Sequence, residues 1–310
     1  MTSLAAVASY LPEQVTPITP YLAGVGLSPS QIKLYHRFYG FAEVRLAPGS
    51  SGADLMLAVA DRLPELRGQQ HRVRYLVQAR TIQLAAPYPR NPLHEVRSAL
   101  GLKNATAFSL TQHACASGLL AVDLCGKLLT SDGDPDALAL ILAGEKAFTP
   151  SAQVIADSAI MGEGMAAVLV RAGGDRDVMI GYATRTHGRF HTGPFLTPEL
   201  MTEFDQLYAP ALAEVITAAV ARAGLTPADV AVVLPHNVNQ MSWFRVAKLV
   251  GLPRDRIALD NLPRLGHCFC ADSFINYRAV RDDGRLRPGD HYVMTSVGLG
   301  ATFSAMVFRH

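Results

Sequence analysis

"TQHACASGLLAVDLC", residues 111–125, sets a cysteine between two alanines, directly after a strand-like run and directly before a long helix-periodic one. A short strand, a turn of small residues and an apolar helix form the repeating unit of an α/β fold. A helix start offers unpaired N–H groups and a positive dipole end, which favour the thiolate, the nucleophilic form of cysteine. Ala114, Ala116 and Gly118 leave room around Cys115 for a substrate carbonyl to approach and for backbone N–H groups to meet its oxygen. On this segment alone a second reading stays open, that Cys115 is a small buried apolar residue like most free cysteines.

Working outward, the same alternation continues along the chain. Strands are predicted near AAVAS (5–9), RYLVQA (74–79), AFSLTQ (107–112) and ALALILAG (137–144), and helices over 53–63, 91–101 and 115–129. The second half predicts strand VMIGYA (178–183), helix 202–224, strand VAVVLP (230–235), helix 239–251, a short strand RIAL (256–259), helix 268–284, and strands HYVMTS (291–296) and FSAMVFR (303–309). Both halves end alike, GEGMAAVLVRA (162–172) and GLGATFSAMVFRH (298–310), and each has a helix opening on a Cys-bearing turn, HACASG and GHCFCADS. These features predict a duplicated βα unit, with lobes 1–173 and 174–310 joined by RAGGDRD (171–177). Lobes that face each other bring the starts of equivalent helices together, so Cys115 and His267 are expected to be neighbours.

With 310 residues, 49% hydrophobic, 17% charged and a net charge of +2, the chain suits a compact enzyme with a large interior. The charge bias is too weak to imply a nucleic acid. No 18-residue apolar run is read as a membrane span, and the opening MTSLAAVASYLPEQV lacks the basic region of a signal peptide. Four cysteines, Cys115, Cys125, Cys268 and Cys270, show neither zinc-type CxxC pairs nor the density of a disulfide scaffold. A cytoplasmic protein with reduced thiols and no cofactor is expected.

Two further segments carry chemistry. In VVLPHNVNQ (232–240), His236 follows a strand end, where ligand groups gather in α/β proteins; its bland alternative is a satisfied core histidine. In RLGHCFCADSF (264–274), His267 follows a glycine at the start of the helix that mirrors the Cys115 helix. A CxC pair on a helix points its thiols about 200° apart, so Cys268 and Cys270 make poor chelators and no metal is expected. HGRFH (187–191) reads as a loop with two histidines, within a polar excursion or lid over 184–200, and Cys125 reads as core.

Taken together, SYLPEQV (9–15), HACASGLLAVDLC, GEGMAAVLV (162–170), LPHNVN (234–239), LGHCF, VRDDGRLRPGDHYVM (280–294) and SVGLGATFSAMVFR resemble the ketosynthase III branch of the thiolase-like family. The resemblance covers nearly the whole chain. It implies a thiolase-like α/β fold, a five-layered α-β-α-β-α sandwich, and a homodimer. It makes Cys115 the acyl-accepting nucleophile with His236 beside it, and an oxyanion hole from the backbone N–H groups of Cys115 and Leu299, where a leucine in place of the family's glycine narrows the pocket. Glu163 stands for the family's aspartate and is read as structural.

Two departures shape the expected chemistry. The family's asparagine is replaced by His267, giving a Cys-His-His set whose two imidazoles can donate to a developing enolate oxygen; alternatively His267, oriented by Asp272, serves as a base. The tryptophan and arginines with which family members hold coenzyme A are missing: SQIKLYHRFYGF has only an offset Arg37, and Met241 stands where an arginine is expected. An acyl-carrier protein is therefore the expected donor rather than free acyl-CoA, with Asn239, Arg245 and Lys248 as contacts for its pantetheine arm or acidic surface. The leading expectation is condensation of an acyl-Cys115 enzyme with a malonyl-type thioester. The alternatives are acyl transfer to oxygen or nitrogen, and a non-catalytic partner subunit of a heterodimer, a role that retention of Cys115, His236 and His267 argues against.

Overall fold

A computed structural model describes the chain apart from residues 84, 85, 88, 150 and 151 and the side chain of residue 194. The first half runs β1 (Thr2–Tyr10), β2 (Gln14–Pro17), α1 (Ile18–Gly24), α2 (Pro29–Leu34), β3 (Glu43–Leu46), α3 (Gly52–Ala60), β4 (Val73–Ala79), α4 (Pro92–Ala99), β5 (Thr106–Leu110), α5 (Ser117–Asp132), β6 (Leu138–Ala143), β7 (Val154–Ile155), β8 (Ala159–Ile160) and β9 (Met165–Ala172). The second half runs β10 (Val178–Thr186), α6 (Pro198–Arg222), β11 (Val230–Leu234), α7 (Gln240–Val250), α8 (Leu262–Leu265), α9 (Asp272–Asp282), β12 (His291–Gly298) and β13 (Thr302–Arg309).

Nine strands form one sheet in the order β11-β12-β13-β10-β1-β9-β6-β4-β5. Its midline is thin, because β1 meets β10 only at Ser3 and Val178. On either side the topology repeats. Moving outward from the midline, each half presents its first strand, its last, the one before the last, and then its second. The outermost place is filled by β5 in the first half. In the second half it shrinks to a parallel bridge between Ile257 and Val233. RIAL is thus not a strand: Arg254–Arg256 forms a 3-10 turn behind Pro253, and Ile257 N donates to Arg254 O at 3.1 Å.

Strand periodicity builds the layers. In β6, Leu138, Leu140 and Leu142 join a core with Leu55, Met56 and Val59 of α3 and Leu93 and Val96 of α4. The alternate residues Ala139, Ile141 and Ala143 join a second core with Leu119 and Val122 of α5 and Phe274 and Tyr277 of α9. That second core also takes Leu234, Met294 and Met306 from the other half-sheet, whose opposite face carries Val233, Val293 and Phe303 against Leu212 and Ile216 of α6 and Trp243 and Val246 of α7. The result is five layers, with α5 and α9 in the middle. This position explains the apolarity of α5. Residues 114–132 reach a mean hydropathy of 1.3, enough by length and composition to cross a membrane, because the helix is covered by both halves of the sheet.

Both Cys-bearing segments differ from the helices expected of them. Cys115 lies in a 3-10 turn, Ala114–Ala116, ahead of α5, and Cys270 in the turn Phe269–Ala271 ahead of α9, with Cys268 further out. Ala114 (φ 46°) and Phe269 (φ 54°) adopt left-handed backbone conformations unfavourable for residues with a Cβ, and this stops each helix from starting earlier. The polar stretch 184–200 is also less of an excursion than its composition suggests. Its first residues extend β10, α6 begins already at Pro198, and Phe190 is buried against Phe204 at 5.5 Å between ring centroids.

Glu163 ties three segments together. Its carboxylate accepts from Ala47 N at 2.7 Å, Ala147 N at 3.0 Å and Lys146 Nζ at 2.9 Å, with the carboxylate side chain 5% and the lysine 16% exposed. Glu163→Ala leaves a mostly buried ammonium without its charged partner, with only the Ala47 carbonyl to accept from it, and is expected to destabilise the fold by about 3 kcal/mol. The urea midpoint should fall with the slope of the transition unchanged; an unchanged midpoint would contradict the pairing.

Candidate active site

The nucleophile-bearing turn is wedged between the two halves. Gly298, at the end of β12, faces His113: a Cβ there would stand 1.9 Å from the His113 carbonyl oxygen, so only glycine lets the β12–β13 turn approach. Gly118 plays the same part on α5, where a Cβ would lie 2.7 Å from the Cys270 carbonyl oxygen. Ser296 Oγ donates to the Cys115 carbonyl at 2.8 Å. The close approaches hold Cys115, 2% exposed, at the junction of β5, α5, β12 and the turn before α9.

His267 Nε2 lies 3.2 Å from Cys115 Sγ. Its other nitrogen, Nδ1, is hydrogen-bonded to Asp272 Oδ2, and the Asp272 carboxylate also accepts from Asn237 N at 2.6 Å, Asn237 Nδ2 at 3.2 Å and Cys268 N at 2.7 Å. Asp272 is the first residue of α9, where the helix dipole favours negative charge. Burial, the largest influence, works against a charged imidazole, but the Asp272 carboxylate and the Cys115 sulfur outweigh it and push His267 up to about 10. His267 is therefore cationic at neutral pH, whereas two neutral imidazole donors were expected. A nucleophile, an imidazole and an orienting carboxylate in this order make a nucleophile–base relay.

His236 differs in character. Its ring centroid is 6.3 Å from that of His267, and burial together with the positive charge of His267 lowers it well below the ordinary imidazole range, so it is neutral. Nε2 is 2.5 Å from the hydroxyl of Tyr208 on α6, the Thr295 backbone offers the ring a further hydrogen bond, and the His236 carbonyl accepts from Trp243 Nε1 at 3.0 Å. The three sequence-selected side chains are thus brought to one place, but only His267 is hydrogen-bonded to the sulfur.

A hydroxyl from the first half meets the sulfur. Thr81 Oγ1 is 3.2 Å from Cys115 Sγ, and the Thr81 backbone N–H donates to Glu145, which also accepts from Ile82 N at 2.9 Å. Burial pushes the Glu145 carboxyl up to about 7. Cys270 Sγ donates to Ala114 O at 3.2 Å, and Cys268 Sγ turns to Leu265 O, so the two thiols serve different backbone segments.

The remaining candidates sort by position. Leu299 lies in the turn against the nucleophile segment and its N–H makes no backbone hydrogen bond among the described residues. The residue is 36% exposed, and its Cβ lies 3.6 Å from where a Cβ at Gly193 would stand, so it packs against the 193 turn. Asn239 caps α7, accepting from Ser242 N at 2.9 Å, and its own N–H donates to Ser158 O. Arg245 and Lys248 are exposed on α7, with Arg245 4.0 Å from Asp205. Tyr208, Thr81 and Glu145 carry no local sequence motif. Asn237 lies within LPHNVN, directly beside His236.

Residues 220–310 match the family described as 3-oxoacyl-[acyl-carrier-protein (ACP)] synthase III C terminal. The β-ketoacyl-[acyl-carrier-protein] synthase III of Rhizorhabdus wittichii is 28% identical over 233 residues, 69% of this chain and 70% of the relative. The protein of the same description from Lactobacillus delbrueckii subsp. bulgaricus is 25% identical over 288 residues, 87% of this chain and 88% of the relative. The crystal structure of the β-ketoacyl-[acyl carrier protein] synthase III from Thermus thermophilus superposes with a TM-score of 0.83 at 21% identity, covering 99% of both chains. The family match over the last third, the relatives and the backbone point the same way: the chain is similar to β-ketoacyl-[acyl-carrier-protein] synthase III proteins and shares their fold.

Proposed function

We propose that this chain is a cytoplasmic, homodimeric acyltransferase that takes an acyl group from a thioester onto Cys115 and condenses it with a malonyl-type thioester. The observation that carries the reading is the relay from Cys115 Sγ through His267 to Asp272, with 3.2 Å between sulfur and imidazole. The cationic imidazole favours the negative charge that sulfur carries as it attacks, and its proton passes to the departing thiolate of the donor. His267 is left neutral, ready to stabilise or accept a proton in the second half-reaction. The backbone N–H groups of Cys115 and Leu299 are suited to the oxyanion formed on the way. A carrier protein is the proposed donor and acceptor scaffold, met by Arg245 and Lys248, because SQIKLYHRFYGF lacks the adenine-stacking tryptophan of coenzyme A users and Met241 stands where they carry a phosphate-binding arginine. The setting proposed is fatty-acid-like or polyketide biosynthesis.

A second reading draws on the same relay. An imidazole backed by a buried carboxylate is also the base that an alcohol or amine acceptor needs, so transfer of the acyl group to oxygen or nitrogen is its natural competitor.

Intact-mass measurement with acyl-carrier and acyl-CoA thioesters is expected to show one acyl adduct, mapping to the peptide that contains Cys115. Carbon dioxide should then be released from a malonyl thioester in step with product. Adduct formation without carbon dioxide, but with ester or amide product, would replace the first reading by the second. Failure of every donor to leave an adduct would defeat both.

A further inference from the structure

Asn276 lies on α9 four residues after Asp272, so the two side chains share a face of the helix. It is 1% exposed, and both ends of its amide are engaged. Nδ2 donates to Pro235 O at 2.8 Å and to Asn237 Oδ1 at 3.0 Å, while Oδ1 accepts from Asn261 Nδ2 at 2.8 Å. The next link is Asn237 Nδ2 to Asp272 Oδ1 at 3.2 Å, and from there the relay runs through His267 to Cys115.

A carbonyl can only accept, so Pro235 O fixes which end of the Asn276 amide carries the NH₂. That choice propagates. Asn237 must turn its oxygen to Asn276 and its NH₂ to the carboxylate, so the amides of Asn261, Asn276 and Asn237 all point their N–H ends along the row towards Asp272. Hydrogen bonds aligned in this way polarise one another, and the positive end of the row faces a negative group. The same NH₂ holds the segment of His236, because Pro235 and Asn237 flank that histidine and both accept from Asn276. One buried amide clasps the loop that carries His236 to the helix that carries Asp272.

We propose that Asn276 is a positioning residue for the reaction at Cys115: it sets the Asp272 carboxylate, and through it His267, against the sulfur, and it fixes the His236 loop beside them. Its effect on turnover rests on the acyl-Cys115 reading, whereas alkylation of the sulfur tests the amide row without that reading.

Asn276→Asp keeps the shape of the side chain and removes its donors. The new carboxylate leaves Pro235 O without a partner, the Asn237 amide turns over to meet it, and an oxygen then faces Asp272 where an NH₂ stood. Iodoacetamide alkylation of Cys115 at neutral pH should slow roughly 10–100-fold, and acylation should fall as far in kcat, with KM for the donor within about 3-fold of wild type. Acid should reverse the loss. Burial raises a carboxyl's pKa, so as pH falls from about 8 to 5 the introduced group gains a proton and becomes a donor again. In wild type His267 holds its proton throughout that range, and the rate should not rise. Asn237→Ala breaks the row one link nearer Asp272 and should slow alkylation as far, without the recovery in acid. A loss in Asn276→Asp that acid does not relieve, or undiminished alkylation in either variant, would overturn the proposal; should Asn276→Asp not fold, the rate in Asn237→Ala decides. A wild type whose Cys115 alkylates rapidly but accepts no thioester would overturn the acyl-enzyme reading, and the alkylation rates of the variants would still decide this one.

Discussion

Cys115→Ala is expected to lose all acyl adduct and to lower the overall transfer rate by about 10⁵-fold or more, the scale on which removing a covalent nucleophile acts. The reason lies in a contrast among four thiols. Cys125, Cys268 and Cys270 are all buried, and burial pushes each above the ordinary thiol range, Cys125 to about 12 and the other two well above that range. Each is therefore kept as an unreactive thiol. Cys115 is as deeply buried, but alone has a cationic imidazole 3.2 Å from its sulfur. The variant should fold normally, since deleting one small buried group costs about 1 kcal/mol, and the peptide map should find no adduct on the remaining three cysteines. An adduct on Cys270, which shares Thr81 with Cys115 at 4.0 Å, would show that the second turn is reactive as well.

What the sequence disclosed follows from how local each determinant is. Strands such as β6 and β9 are written as runs of small and branched apolar residues because both faces are covered, and the glycines at 118 and 298 mark close backbone approaches. The likeness of the two halves made the meeting of Cys115 and His267 legible before any coordinates. The start of each helix was not legible: left-handed backbone at Ala114 and Phe269 is imposed by tertiary contacts, since neither alanine nor phenylalanine advertises it. Thr81, Glu145 and Tyr208 were missed for the same reason. Each reaches the site from an element distant in sequence, and an isolated threonine, glutamate or tyrosine carries no spacing that points to a sulfur. The charge of His267 was also out of reach, because it depends on how many donors the Asp272 carboxylate already satisfies.

Asp272→Asn is expected to lower the rate of Cys115 acylation roughly 10³–10⁴-fold, the scale on which an amide in place of an orienting carboxylate acts in a nucleophile–base relay. The native carboxylate accepts from Asn237 N, Asn237 Nδ2, Cys268 N and His267 at once; an amide offers only one accepting oxygen, and its NH₂ faces groups that are themselves donors. With the negative charge gone, burial becomes the dominant influence on His267 and the ring turns neutral. The amide NH₂ then holds the lone pair of Nδ1, the proton moves to Nε2, and the nitrogen facing sulfur can no longer accept a proton. In wild type the proton on His267 persists to about pH 10, so its stabilising contribution is complete below the ordinary imidazole value near 6.5 and is lost as pH rises through about 10. Iodoacetamide alkylation of Cys115 should accordingly be fast at neutral pH in wild type, and in Asp272→Asn slow at neutral pH and rising steeply towards alkaline pH. His267→Asn, which removes the imidazole and leaves the carboxylate free to bind Asn237 and Cys268, should reproduce the slow neutral-pH alkylation and separate loss of the relay from loss of the fold. Equal alkylation profiles in wild type and both variants would mean that the charge on His267 does not govern the sulfur, and the relay would then be a structural tie between α9 and the loop after β11.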